Sequence, residues 1–185
     1  MKKELWKIAL RYFILILVAL PGFGYIYWLL SPITTYPVGF LLNLIYSNVQ
    51  MSPGLILIGK VALIEIIGAC LAGSAYYFLL ILNLTVPNIA YKKRIAMLGF
   101  SFGLFLIINI LRIFILSIMF VSDSAIFDIT HKLFWYLGST LFIILIWFLE
   151  VKIFKIKEIP FFSDLKGLYF QSLFKKKKSV IKRKK

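Results

Sequence analysis

The chain has one cysteine and one histidine in 185 residues, and only seven acidic residues. A single thiol excludes an internal disulfide and any redox cycle that needs two thiols of one chain. One histidine and few carboxylates argue against a metal cage. Polar residues are scarce as well. The chain is 62% hydrophobic with a mean hydropathy of +0.94, whereas a soluble domain has roughly 45–50% apolar residues. The composition reads as an integral membrane protein with one membrane-embedded domain, residues 1–150, and a basic tail, residues 151–185.

The positive charge is plentiful but clustered. The formal net charge is +15. Lys2, Lys3, Lys7 and Arg11 open the chain, Lys92-Lys93-Arg94 form an internal knot, and the stretch from Lys152 to Lys185 is strongly basic. These clusters flank apolar runs. That is the positive-inside pattern rather than a nucleic-acid footprint, and it predicts both termini on the cytoplasmic side of the cell membrane.

Four main apolar runs follow in order. Ile8 to Leu30 is long enough to span, at about 20 residues per bilayer crossing, with a kink expected at Pro21-Gly22. The run is too long for a cleaved signal peptide and lacks a small-x-small site. Residues 31–67 are interrupted by Pro32, Pro37, Ser52-Pro53-Gly54 and Gly59. They read as an outer-face segment, a short interfacial helix followed by a hairpin or extended piece, with two extra short spans as the alternative. Gly68 to Val86 runs inward to the basic knot, Ile95 to Val121 runs outward, and His131 to Leu149 runs inward, with Thr130 as its expected cap. The expected fold is therefore an all-α helical bundle of about four transmembrane helices, with an outer-face segment before Cys70.

Helical rise converts spacing into depth. Arg94 to Arg112 is 18 positions, about 27 Å. His131 to Lys152 is 21 positions, about 31 Å. Cys70 lies 22 positions before Lys92. Cys70, Arg112 and His131 are thus each one membrane thickness from a basic marker, on three successive helices. An arginine inside a span costs at least roughly 2.5–3.5 kcal/mol at the bilayer centre, so it faces the protein interior or snorkels outward. Asn109 shares its helix face. Cys70 near a helix N-terminus gains from the positive end of the dipole. His131, read as opening a helix, stays neutral and able to accept a proton, with Asp128 three residues earlier to orient it or cap the helix. Together these residues supply a nucleophile, a base and an oxyanion partner.

At these residues the chain resembles the exosortase/archaeosortase family, particularly its short archaeal members. The resemblance rests on Gly68-Ala69-Cys70 followed by Ala72-Gly73-Ser74-Ala75-Tyr76-Tyr77, on Asn109-Ile110-Leu111-Arg112-Ile113, and on His131 opening the last span. It covers about residues 50–145. Many members have Gly two residues after the cysteine, where Ala72 stands here. The resemblance implies a membrane cysteine transpeptidase with its active site on the extracytoplasmic side. Its partners would be exported proteins with a C-terminal motif, a transmembrane helix and a basic cluster. Cys70 would form a thioester, His131 would act as acid and base, and Arg112 would stabilise the thiolate or oxyanion, with Asn109, Asp128 and Ser74 in support. An amine, a lipid amine among the candidates, would accept the acyl group, and water would give proteolysis. No metal or organic cofactor is implied.

Two other classes fit parts of the pattern. A non-enzymatic membrane subunit would pair Arg112 with Glu65 or Asp128. A small transporter would use the buried arginine for an anionic solute, but it calls for further intramembrane polar groups or a repeat.

Overall fold

The computed structural model describes residues 2–20, 24–60 and 62–156. The expected kink at Pro21-Gly22 and the tail from residue 157 onward lie outside the described residues. The protein is mostly helical, with one small sheet. Helix α1 is Lys2–Ala19 and α2 is Gly24–Asn43. Strands β1 (Val49–Ser52), β2 (Leu55–Ile58) and β3 (Ala62–Glu65) follow. Then come α3 (Gly68–Leu71), α4 (Gly73–Thr85) and α5 (Tyr91–Val121). Helix α6 (Phe127–Leu133), a π-helical segment (Phe134–Gly138) and α7 (Ser139–Ile153) complete the chain.

Two helical stretches, Gly68–Thr85 and Tyr91–Val121, are long and apolar enough to cross a membrane. The number rises to four if each of two bent pairs counts as one span. The outward faces carry large apolar side chains such as Trp28, Phe40, Ile107 and Phe148. Exposed apolar surface on this scale suits lipid rather than water.

The first run departs from the expected single span at Ile8–Leu30. It is shared between α1 and α2, whose axes diverge by 78°. Helix α2 also runs through Pro32 and Pro37, where an interruption is expected. Each proline removes one helical N–H. The helix persists because its inner face, with Thr34, Thr35, Val38 and Leu42, is buried. Packing of one face outweighs local propensity in such a helix. The short helix expected within residues 31–67 is thus the C-terminal part of α2.

The small sheet refines the all-α expectation. Pro53-Gly54 forms a two-residue turn between Ser52 and Leu55. Proline sets the first turn position, and Gly54, at φ +82°, supplies the left-handed second one. The Gly54 N–H donates to Thr35 Oγ1 at 3.0 Å, which ties the turn to α2. Ile56 and Ile58 point inward while Leu55 and Leu57 point out, as the two-residue period of a strand requires. The inner face joins Val38, Leu42, Leu71 and Ile113 in one apolar cluster. This is the extended piece expected before Cys70, built as a three-stranded antiparallel meander.

Helices α4, α5 and α7 pack around Tyr76, Leu79, Phe105, Ile143 and Ile146. The Tyr76 ring meets Phe105 edge-on at 4.9 Å. Below this cluster sits a polar layer. Asn83 Nδ2 donates to Glu150 Oε2 at 3.1 Å and to Ser101 Oγ at 3.3 Å, linking three helices. The end of α4 is held by two arginines. Arg94 donates to the carbonyls of Asn83, Leu84 and Val86, and Arg11 donates to those of Leu84 and Val86. Cations at a helix C-terminus meet its unpaired carbonyls and the negative end of its dipole. Arg94, part of the basic knot read as a cytoplasmic marker, is buried for this reason.

Candidate functional site

The site begins with a break in the chain. Ala72 adopts φ 52°, ψ 42°, the left-handed region, between α3 and α4. For a residue with a side chain that conformation costs about 1–2 kcal/mol. The break takes the Cys70 carbonyl out of the helical ladder, and two side chains of α5 donate to it instead. Asn109 Nδ2 reaches it at 3.0 Å and Arg112 Nη2 at 2.9 Å. Gly73 follows because Tyr27 of α2 presses on it. A Cβ there would meet Tyr27 Cε1 at 2.6 Å.

Arg112 is buried, at 9% exposure, so it does not snorkel. Its Nη1 donates to Ser139 Oγ at 3.1 Å. Its hydrogen bonds therefore go to Cys70 and Ser139, not to Glu65 or Asp128. Nε is buried and has no acceptor. Asn109 and Arg112 meet Cys70 because they sit three residues apart on the buried stripe of α5, with Ser101, Phe105 and Ile113.

Cys70, Arg112 and His131 line one cavity of about 240 Å³. Glu65 and Ser117 also reach it, and Ile113, Phe120, Phe127, Phe134 and Trp135 wall it. The three residues expected at one depth thus share one space. Cys70 is partly exposed. His131 stacks on Phe127 with ring centroids 5.6 Å apart and meets Trp135 edge-on at 6.4 Å.

Two local expectations are corrected. His131 does not open a helix. Helix α6 starts at Phe127, with Ile126 in the cap position, so Thr130 lies inside it and His131 sits in its last turn. The dipole argument made for a neutral imidazole at a helix start therefore does not apply. The π-helical segment after α6 and a 50° bend then redirect the chain into α7. Extra residues of this kind are common where side chains are re-aimed at a site. Asp128 is exposed, in the first turn of α6, and does not line the His131 cavity. Its place suits the positive end of the helix dipole.

Ser74 is exposed and lines a second cavity, of about 600 Å³, on the other side of Arg112. Ser139 is the functional candidate that sequence reasoning missed. A signal was present: His131, Trp135 and Ser139 follow at four-residue spacing, the neighbours on one helical face. Among the described residues no group of three or more His, Cys, Asp or Glu could hold a metal ion. No known protein family, no curated protein and no solved structure matches this chain.

Proposed function

We propose that this chain is a multi-pass membrane cysteine transpeptidase of the exosortase/archaeosortase type, acting on exported proteins with a C-terminal sorting signal. The observation that carries the reading is the shared cavity: a thiol, a guanidinium and an imidazole from separate stretches face one space with apolar and aromatic walls. Apolar walls lower the local dielectric and strengthen electrostatic interactions beside them.

His131 takes the proton of the Cys70 thiol, and the thiolate sulfur attacks the scissile carbonyl carbon. The positive charge of Arg112 stabilises the oxyanion that forms. The C–N bond then breaks, His131 gives the leaving amine its proton, and a thioester remains on Cys70. An incoming amine, of a lipid or another acceptor, attacks the thioester and yields its proton to His131. The C–S bond breaks, the thiolate returns, and an amide has formed. Water in the amine's place gives a free carboxylate and plain proteolysis. The basic clusters support an arrangement with both termini inside and the cavity facing out.

Replacing Cys70 with Ala is the direct test. Coexpressed with an exported protein ending in motif, apolar helix and basic cluster, Cys70→Ala accumulates in the membrane but leaves the substrate uncleaved. Cys70→Ser is nearly as inactive, since a hydroxyl ionises far less readily than a thiol. Normal processing by Cys70→Ala ends the enzyme reading. It favours instead a non-enzymatic membrane subunit, a reading that the bonds from Arg112 to the Cys70 carbonyl and Ser139 also support.

A further inference from the structure

Arg112 borders two cavities, and the second has a chemistry of its own. The first holds Cys70 and His131. The second lies between α4 and α7 and is lined by neither. Around Arg112 it gathers hydroxyls from both helices, Ser74 from α4 and Ser139 and Thr140 from α7. About one turn deeper its walls become apolar, with Phe78 on one side and Ile143 and Ile144 on the other. Phe78 is 48% exposed and Ile144 44%, so the groove opens on the outside of the bundle. It is polar at one end and apolar along its length.

The polar end lacks an anion. A buried cation is costly unless it is paired. Arg112 is nine-tenths buried, no carboxylate lines this cavity, and Nε has no acceptor. Of the five N–H groups of a guanidinium, its hydrogen bonds use one on Nη1 and one on Nη2. Guanidinium and hydroxyl donors arranged together suit a phosphate.

We propose that the groove between α4 and α7 binds an amphiphile with a phosphate head, its head at Arg112, Ser139, Thr140 and Ser74 and its chain along Phe78, Ile143 and Ile144. This binding does not depend on the transpeptidase reading. It would set a phosphate-headed lipid across Arg112 from the Cys70 thiol.

The full-length protein in nanodiscs tests this with two photoreactive lipids that share acyl chains, a phosphatidylglycerol and a diacylglycerol without phosphate. The phosphatidylglycerol probe is expected to label α4 and α7 about ten- to hundred-fold more than the neutral one, the range for hydrogen bonds to a charged group. Thr140→Phe and Ile144→Trp, both at exposed groove positions, are expected to abolish the labelling, with thermal midpoints reporting that each variant is folded. Inorganic phosphate separates head from chain. Competition by it at high concentration supports recognition of the head. Equal labelling by both probes overturns the proposal. So does binding of inorganic phosphate with no lipid labelling, or labelling of the groove by an apolar helical peptide in place of the lipid. Cleavage by Cys70 is read in a separate assay, so either reading can fail alone.

Discussion

Two polar layers cross the helix bundle, one joining α4, α5 and α7 and the other joining α3, α5 and α7, and they differ in what they bond. Arg112 and Ser101 are 11 residues apart on α5, and Ser139 and Glu150 are 11 apart on α7. Both spacings put the layers about 16 Å apart. In the lower layer Asn83, Ser101 and Glu150 are all 0% exposed, and their side chains bond one another across the helices. In the upper layer Asn109 and Arg112 are buried, but they bond the backbone of a partly exposed cysteine and border open cavities. A polar group inside an apolar bundle must be partnered or it destabilises the fold. Each layer leaves buried atoms without a partner, Asn83 Oδ1 and Glu150 Oε1 below and Asn109 Oδ1 and Arg112 Nε above. The difference lies in where the bonds go: the lower layer joins helices, and the upper layer borders space for a ligand.

Four substitutions break or sharpen this contrast, in decreasing order of effect. His131→Ala removes the acid–base of the proposed reaction and is expected to lower processing about 10²–10⁴-fold without changing protein level. A loss below about tenfold leaves His131 as a packing residue between Phe127 and Trp135. Arg112→Lys keeps the charge but loses the planar fork that holds Cys70 and Ser139 together. Processing is expected to fall about 10²–10³-fold, and alkylation of Cys70 to slow. Full activity and unchanged alkylation would remove Arg112 from the chemistry.

The lower layer should respond the other way. Asn83→Leu deletes the amide that donates to Glu150 and is expected to cost about 1.5–3 kcal/mol of stability. The thermal midpoint in detergent falls while processing per folded molecule stays level. Lost processing with an unchanged midpoint would contradict the division between the layers. The smallest effect is expected at the strained turn. Ala72→Gly relieves about 1–2 kcal/mol of left-handed strain and gives back about 0.4–1 kcal/mol through a more flexible unfolded chain. A net gain of up to about 1.6 kcal/mol in stability should follow, and a lower midpoint would argue against the turn.

The depth of the site was legible because helical rise is nearly constant. Counting from basic residues put Cys70, Arg112 and His131 at one level, and they share a cavity. Partners were less legible. Glu65 and Asp128 looked like the natural counter-charges for Arg112, yet its bonds go to a carbonyl and a hydroxyl. Residue type states what a group can bond, while the crossing of helices decides what it meets. Prolines 32 and 37 misled in the same way, since their local cost was real but burial of α2 exceeded it.

The sequence by itself determined the apolar helices, the extended segment before Cys70 and the common level of Cys70, Arg112 and His131. Each depends on composition, period or rise, which are properties of a single stretch of chain. Only the tertiary structure decided that α6 begins at Phe127, that a left-handed turn at Ala72 frees the Cys70 carbonyl, and that Ser139 completes the Arg112 contacts. It also decided that Glu150, Asn83 and Ser101 meet, though they stand on three helices far apart in the chain. These features depend on how helices rotate and bend against one another, and that is set by packing between distant segments rather than by any one of them.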